Sequence, residues 1–270
     1  MKDTLNLGKI NPNEQRNKVP KHIPSKVHPD TLFTFMTDFG FLLGCLEHKM
    51  LSPRYCEEDV RYLNLRRVKS LAYPMKCFCD INLHKMQSHM KYYGNYGIAF
   101  FKDWGINHKL QPVQYMNEKS FLTEQYISSF KASLNDNESV NVEIKNYLSM
   151  NILYMKPIIG DQIDTENKPR RKYFLDESEW RYIFDVSNLP DCEQLYVGNS
   201  NNDMKVFNEA LLDKNQGLEF DIKDIKYIII NTEDEFIKLI SNLKTMNLTE
   251  DEKYLLVSKI LIWEQSRRDF

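Results

Sequence analysis

The chain has no long hydrophobic run. Its most apolar stretches, YIII at 227–230 and the interrupted YLLVSKILIW at 254–263, fall short of the roughly 20 residues a membrane span requires. No transmembrane segment is therefore expected. The opening stretch has no continuous apolar segment, so a secretory signal is not expected either. Neither sign of charge dominates: 36 Lys and Arg stand against 38 Asp and Glu, a net charge of −2, so no global field recruits a polyanion and partner choice must be local. Cysteine is scarce, five residues at irregular spacing, which argues against a disulfide framework and for a reducing, cytoplasmic setting. There is no glycine-rich phosphate loop after a strand, no G-x-S-x-G and no internal repeat, which removes the dinucleotide-binding and nucleophile-elbow folds as templates.

What is present is enough apolar and aromatic material, 42% and 12%, for a core of real size. Residues 1–29 carry four prolines and six Lys or Arg against Asp3 and Glu14. This composition cannot bury enough surface to order itself, so it is expected to form a basic arm, through which RNA or an acidic partner could be contacted. From residue 30 a single α+β domain is expected. TLFTFMT (31–37) alternates as a strand and DFGFLLGCLEHKML (38–51) follows as a helix. CEEDVRYLNLRRV (56–68) is expected to be a surface turn or short helix, YPMKCFCDI (73–81) a buried strand, NLHKMQSHMKYYG (82–94) a helix stopped by Gly94, and NYGIAFFKDW (95–104) a strand. PVQYM (112–116) suggests another strand, and 118–150 one or two helices. GDQIDTENKPRRK (160–172) reads as an exposed, mobile loop. A strand–helix–strand extension (193–270) ends in two helices whose starts, Thr232 with Glu235 and Thr249 with Glu252, fit capping boxes. Without strict β/α alternation the fold class is α+β, a mainly antiparallel sheet with flanking helices.

Three candidate clusters of chemistry stand out. In FLDESEWRYIF (174–184), strand alternation puts Phe174, Trp180, Tyr182 and Phe184 on one face and Glu177, Glu179 and Arg181 on the other. The two carboxylates would lie about 7 Å apart, close enough to perturb each other's pKa, with Arg181 able to lower one of them. A solvated face of mixed charge has the same pattern, and pattern alone favours it. Cys77 and Cys79, with His84 and His89 nearby, invite a metal. However, C-x-C in a strand separates its sulfurs by about 7 Å, so core cysteines are expected and no metal is assigned. Tyr92, Tyr93 and Tyr96 beside Gly94 could stack a base or nicotinamide, although corner packing is the more frequent use of such residues.

The blocks LFTFMTDFGFLLGCLEHKMLSPRYCEED, PMKCFCDINLHKMQSHMKYYGNYGIAFFKDWG and DESEWRYIF resemble the AbiGi family of bacterial abortive-infection proteins over about residues 31–185. That resemblance implies phage defence, an antitoxin role and a toxin or other defence-system partner. More loosely, Glu177-Ser178-Glu179 is similar to the Glu-x-Glu pair of the ADP-ribosyltransferase-like fold. This second resemblance implies an NAD-consuming effector: Glu179 would stabilise the developing charge on the ribose, Glu177 would activate the nucleophile and Arg181 would orient them. Tyr92 or Tyr93 would be the middle residue of the cofactor site, and Thr34 would stand where His or Arg holds NAD, a departure from that fold's pattern. Two function classes follow: an NAD-using effector, and a non-catalytic antitoxin or sensor that binds a toxin, a nucleic acid or a phage protein.

Overall fold

The computed structural model describes residues 28–65, 68–134, 141–197, 201–213 and 216–267; the expected basic arm lies outside them up to residue 27. In chain order the strands are β1 (Thr31–Met36), β2 (Met50–Leu51), β3 (Arg54–Asp59), β4 (Ser70–Cys79), β5 (Tyr96–Phe101), β6 (Gln111–Pro112), β7 (Gln114–Met116), β8 (Met155–Pro157), β9 (Ile159–Ile163), β10 (Pro169–Tyr173), β11 (Glu179–Ile183), β12 (Leu218–Glu219), β13 (Ile225–Ile230) and β14 (Ile260–Ile262). The helices are α1 (Phe39–His48), α2 (Met86–Tyr93), α3 (Lys102–Asn107), α4 (Phe121–Ser133), α5 (Val142–Leu153), α6 (Asn201–Asp213), α7 (Glu233–Thr245), α8 (Glu250–Val257) and the single turn α9 (Trp263–Ser266).

The principal sheet runs β14-β13-β5-β1-β4-β11-β6, with β3 also paired to β4. Only the β13–β14 pair in it is parallel. Strand β4 is long enough to serve several neighbours: Met75 faces Arg54 on one edge and Ile183 on the other, while Cys79 faces Phe33 and Glu179. Strand β1 and strand β3 therefore follow one another along the same edge of β4. The mainly antiparallel α+β architecture agrees with the expectation.

The two faces of this sheet are covered differently. On one, Leu32, Phe78, Ile98, Phe100, Ile228 and Ile230 form an apolar core with Leu42 and Leu46 of α1, Trp104 of α3, Leu239 and Leu243 of α7 and Leu256 of α8. On the other, the apolar material forms two clusters. One joins Phe33, Cys79, Ala99 and Ile229 to Met86 and Met90 of α2 and Trp263. The second joins Tyr73 and Met75 to Tyr126 and Phe130 of α4 and Leu148 and Ile152 of α5.

Several elements follow from local chemistry. Asp38 caps α1 by accepting from the Gly40 N–H at 2.6 Å, and both expected capping boxes form at Thr232 and Thr249. Gly94 ends α2 with φ of 107°, and a Cβ there would lie 2.2 Å from the Met36 carbonyl oxygen, so the corner requires glycine. Other expectations give way to tertiary pairing. The polar stretch after Pro53 starts as β3, because the free edge of β4 is available and alternation buries Tyr55, and Val60, Leu63 and Leu65 are buried beyond it. The presumed mobile loop 160–172 is the hairpin β9–β10, with Ile159 opposite Tyr173, Asp161 opposite Arg171 and Ile163 opposite Pro169. Asp164 closes its turn by accepting the N–H groups of Glu166 and Lys168 at 3.0 and 2.9 Å. Of the strand expected at 193–199, the described residues keep one bridge, Tyr196 to Ala72. The C-terminal helices are followed by β14, and β13 pairs in register with β5, so this end of the chain is built into the principal sheet.

Candidate functional site

The alternation expected through 174–184 begins only at Glu179. Phe174–Glu177 is a single 3-10 turn and Ser178 takes a left-handed conformation (φ 44°), so Glu177 enters from the turn and not from the strand. Phe174 is accordingly separated from Trp180, Tyr182 and Phe184: it packs against Gly160 and the Lys156 ammonium, 4.5 Å from its ring centre, whereas Phe184 joins the apolar core and Trp180 and Tyr182 pack half-buried against it. The face carrying Glu179 and Arg181 is not solvated. Glu177, Glu179 and Arg181 are 2%, 5% and 0% exposed. Pattern in one strand cannot show what packs over it, and here strand β8 and the β9–β10 hairpin do.

The centre of the cluster is Lys156 of β8, itself buried, whose Nζ donates to Glu177 Oε2 at 2.8 Å and Glu179 Oε2 at 2.7 Å. Arg181 donates from Nε to Glu179 Oε1 at 2.6 Å and from Nη1 to the Tyr73 hydroxyl and the Leu153 carbonyl at 2.6 and 2.8 Å; its Nη2 lies 3.1 Å from Glu58. Lys172 of β10 and the Tyr93 hydroxyl both donate to Glu177 Oε1, and the Tyr115 hydroxyl accepts the Glu179 N–H at 2.8 Å. Three cations, Lys156, Lys172 and Arg181, thus face three carboxylates, Glu58, Glu177 and Glu179, and the charge closes to zero. A buried network is tolerable only in this fully paired state.

The electrostatics carry the same message. Burial alone would raise the Glu179 carboxyl, but Arg181 and Lys156 hold it well below the usual carboxylate range, and Glu177 is likewise held down against burial by Lys156. Lys156 stays above its ordinary value because the adjacent glutamates outweigh its desolvation. Burial pushes the His89 imidazole down to about 4, and it pushes the Cys77 and Cys79 thiols up.

Of the proposed cofactor residues, Tyr93 belongs to the cluster and Tyr92 lies beside it with its ring tilted by 50°, Lys172 Nζ being 3.9 Å from the Tyr92 ring centre. Thr34 is not there: it shares the face of Leu32 and Met36, on the opposite side of the sheet from Glu179, because it lies one residue from Phe33, which pairs with Cys79. Among the described residues no group of three His, Cys, Asp or Glu is placed to hold a metal; His89 is buried against Phe35 and Tyr93, and His84 is exposed. Neither the cavity of about 370 Å³ beside Thr31, Asn82 and Tyr227 nor that of about 280 Å³ beside Leu71, Phe130 and Ile152 is lined by Glu177, Glu179 or Arg181. Sequence reasoning missed Lys156, Lys172, Tyr73, Tyr115 and Glu58. Lys156 had a signal: a lone lysine inside the apolar run YMKPII (154–159) must find a buried carboxylate.

Among the described residues no helix is long and apolar enough to cross a membrane. No solved structure matches the chain. The model of the family described as "Putative abortive phage resistance protein AbiGi, antitoxin" matches residues 49–231. The chain is also similar to the "Abortive phage resistance protein AbiGi" of Lactococcus lactis subsp. cremoris, 32% identical over 247 residues that cover 81% of this chain and 98% of the relative. With a family match across β3 to β13 and a relative aligned over nearly its whole length, this chain belongs to the AbiGi family of abortive phage resistance proteins.

Proposed function

We propose that the chain acts in phage defence as a non-catalytic antitoxin, binding a protein toxin through the outward face of the β9–β10 hairpin. The observation that carries this is the charge-closed cluster. A carboxylate that must meet a ribose or take a proton needs an open face and a free lone pair. Glu177 and Glu179 have both oxygens engaged by Lys156, Lys172, Arg181 or Tyr93 and are almost wholly buried.

The cluster instead pins the hairpin to the sheet through Lys172 and Glu177, and Tyr93 adds a bond to Gln162 of β9 at 3.2 Å. With the inward side fixed, the outward side presents Ile159, Ile163 and Tyr173, 42%, 63% and 45% exposed, around the Asp161–Arg171 pair. Apolar side chains exposed on a rigid hairpin, with a polar pair among them, suit a protein partner.

The test is co-expression with the protein encoded beside the gene. A complex that survives gel filtration with the wild type, and is weakened at least tenfold in the Ile163→Asp/Tyr173→Asp double variant, supports the proposal. Absence of any complex, or NAD loss by the purified chain that disappears in Glu179→Gln, overturns it.

A further inference from the structure

Strand β13 breaks its alternation where it reaches the cavity of about 370 Å³ beside Thr31. Ile225 and Tyr227 pair with the consecutive residues Phe100 and Ala99 of β5, so Lys226 is the extra residue of a bulge. Lys226 and Tyr227 consequently both line the cavity, which regular alternation would not allow. The Lys226 ammonium donates to the Asp30 carbonyl at 3.2 Å and stands 3.9 Å from the Asp30 carboxylate, beyond hydrogen-bond distance, so it keeps N–H groups to spare.

Another wall is the 3-10 turn Leu83–Lys85, which leads directly into α2. Asn82 precedes this turn and lines the cavity, but its side chain does not cap the turn, and among the described residues the Leu83 and His84 N–H groups have no acceptor. The deciding residue is Thr31. It is 3% exposed and borders the same cavity, and among the described residues its hydroxyl has no hydrogen-bond partner. A polar group so placed is costly unless something in the cavity meets it.

We infer that this cavity binds a nucleoside monophosphate, with the phosphate held by Lys226, the Thr31 hydroxyl and the N–H groups of Leu83 and His84, and the base lying against Tyr227 and Leu83. Spare donors converge on one space, which is what a phosphate requires. Asp30 is the single carboxylate of the described lining. It disfavours a free phosphate or a polyphosphate and favours a ligand that also brings hydroxyl donors, as a ribose does. The rest of the lining, Phe33, Ile81, Leu83 and Tyr227, is apolar or aromatic and suits the flat face of a base. A volume of about 370 Å³ lies at the lower end of the range for small-ligand sites, which fits one nucleotide.

This inference does not depend on the antitoxin proposal, because the cavity lining includes no residue of β9 or β10. It is tested by calorimetric titration of the full chain with the nucleoside 5′-monophosphates of adenine, guanine, cytosine and uracil, and separately with adenosine and with inorganic phosphate. The expected result is saturable binding of at least one monophosphate with Kd on the order of 1 mM or tighter, and binding of adenosine and of phosphate at least about tenfold weaker. Lys226→Met and Thr31→Val should each weaken the monophosphate about tenfold or more with unchanged circular dichroism. Lys226 is part-exposed, so its variant reads the site even where Thr31→Val does not fold. No saturable binding of any monophosphate, phosphate bound as tightly as the nucleotide, or nucleotide affinity unchanged in Lys226→Met overturns it. Toxin binding is scored separately: a chain that binds toxin and no nucleotide removes only this inference, and one that binds nucleotide and no toxin removes only the antitoxin proposal.

Discussion

The two faces of the principal sheet solve the same problem with different chemistry. One is covered mainly by apolar side chains, from Leu42 of α1 to Leu256 of α8. The other has hydrocarbon at both ends and, between them, three cations and three carboxylates that satisfy one another around Lys156. An apolar core is redundant: each side chain has many near-equivalent neighbours, so a change costs in proportion to the volume it removes. A closed ionic cluster has no redundancy, because removing one member strands the rest in a low dielectric.

That contrast is broken most sharply at Arg181. Arg181→Met should cost about 3–5 kcal/mol by urea unfolding, because Glu179 and Glu58 lose their shared cation while buried or nearly so. Ile228→Val on the apolar face, also fully buried, should cost only about 0.5–1.5 kcal/mol. Adding Glu179→Gln to Arg181→Met should restore part of the loss. Strict additivity of the two would mean that the pair is not coupled as the geometry requires.

Acid sharpens the same comparison. Folded His89 is held down to about 4 against about 6.5 when unfolded, so below pH 6.5 the unfolded chain binds a proton that the folded chain refuses. The stability supplied by this group is therefore present above pH 6.5 and lost as the pH falls towards 4, by up to about 3 kcal/mol. Glu179 and Glu177, also depressed, withdraw their contribution in the same direction once the pH passes below about 4.3. Thermal melts from pH 7 to 4 should show a falling midpoint, and His89→Gln should flatten the upper part of that fall.

A smaller effect is expected where the hairpin meets the sheet. A Cβ at Gly160 would sit 2.4 Å from the Phe174 ring, so Gly160→Ala should cost about 1–3 kcal/mol through overpacking beside Lys156. An effect similar in size to that of Ile228→Val is expected at the start of α8: Thr249→Ala removes one half of its capping box and should cost about 1 kcal/mol in the same unfolding assay.

The elements legible in the sequence were those fixed by local chemistry. The strands β1, β4, β5 and β13, the helix ended by Gly94 and both capping boxes follow from alternation, periodicity and backbone hydrogen bonding within a few residues. The elements misread were those decided at a distance. Strand β3 is polar and exists because β4 offers it an edge, and β9–β10 is charged yet ordered because its inward residues meet α2 and the cluster. Glu177, Glu179 and Arg181 do converge, but their surroundings could not be foreseen from 174–184 alone, since Lys156 and Lys172 come from other strands. Thr34 was misplaced for a simpler reason: one residue along a strand reverses the face.

The most direct test of whether the cluster clamps a binding hairpin is amide hydrogen exchange across β9–β10 in Lys172→Met, compared with the wild type. If it does, residues 159–173 should lose protection at least tenfold while β4 and β5 are unchanged, and toxin binding should weaken in parallel. Unchanged protection of the hairpin in that variant would contradict the account, because Lys172 would then be holding nothing in place.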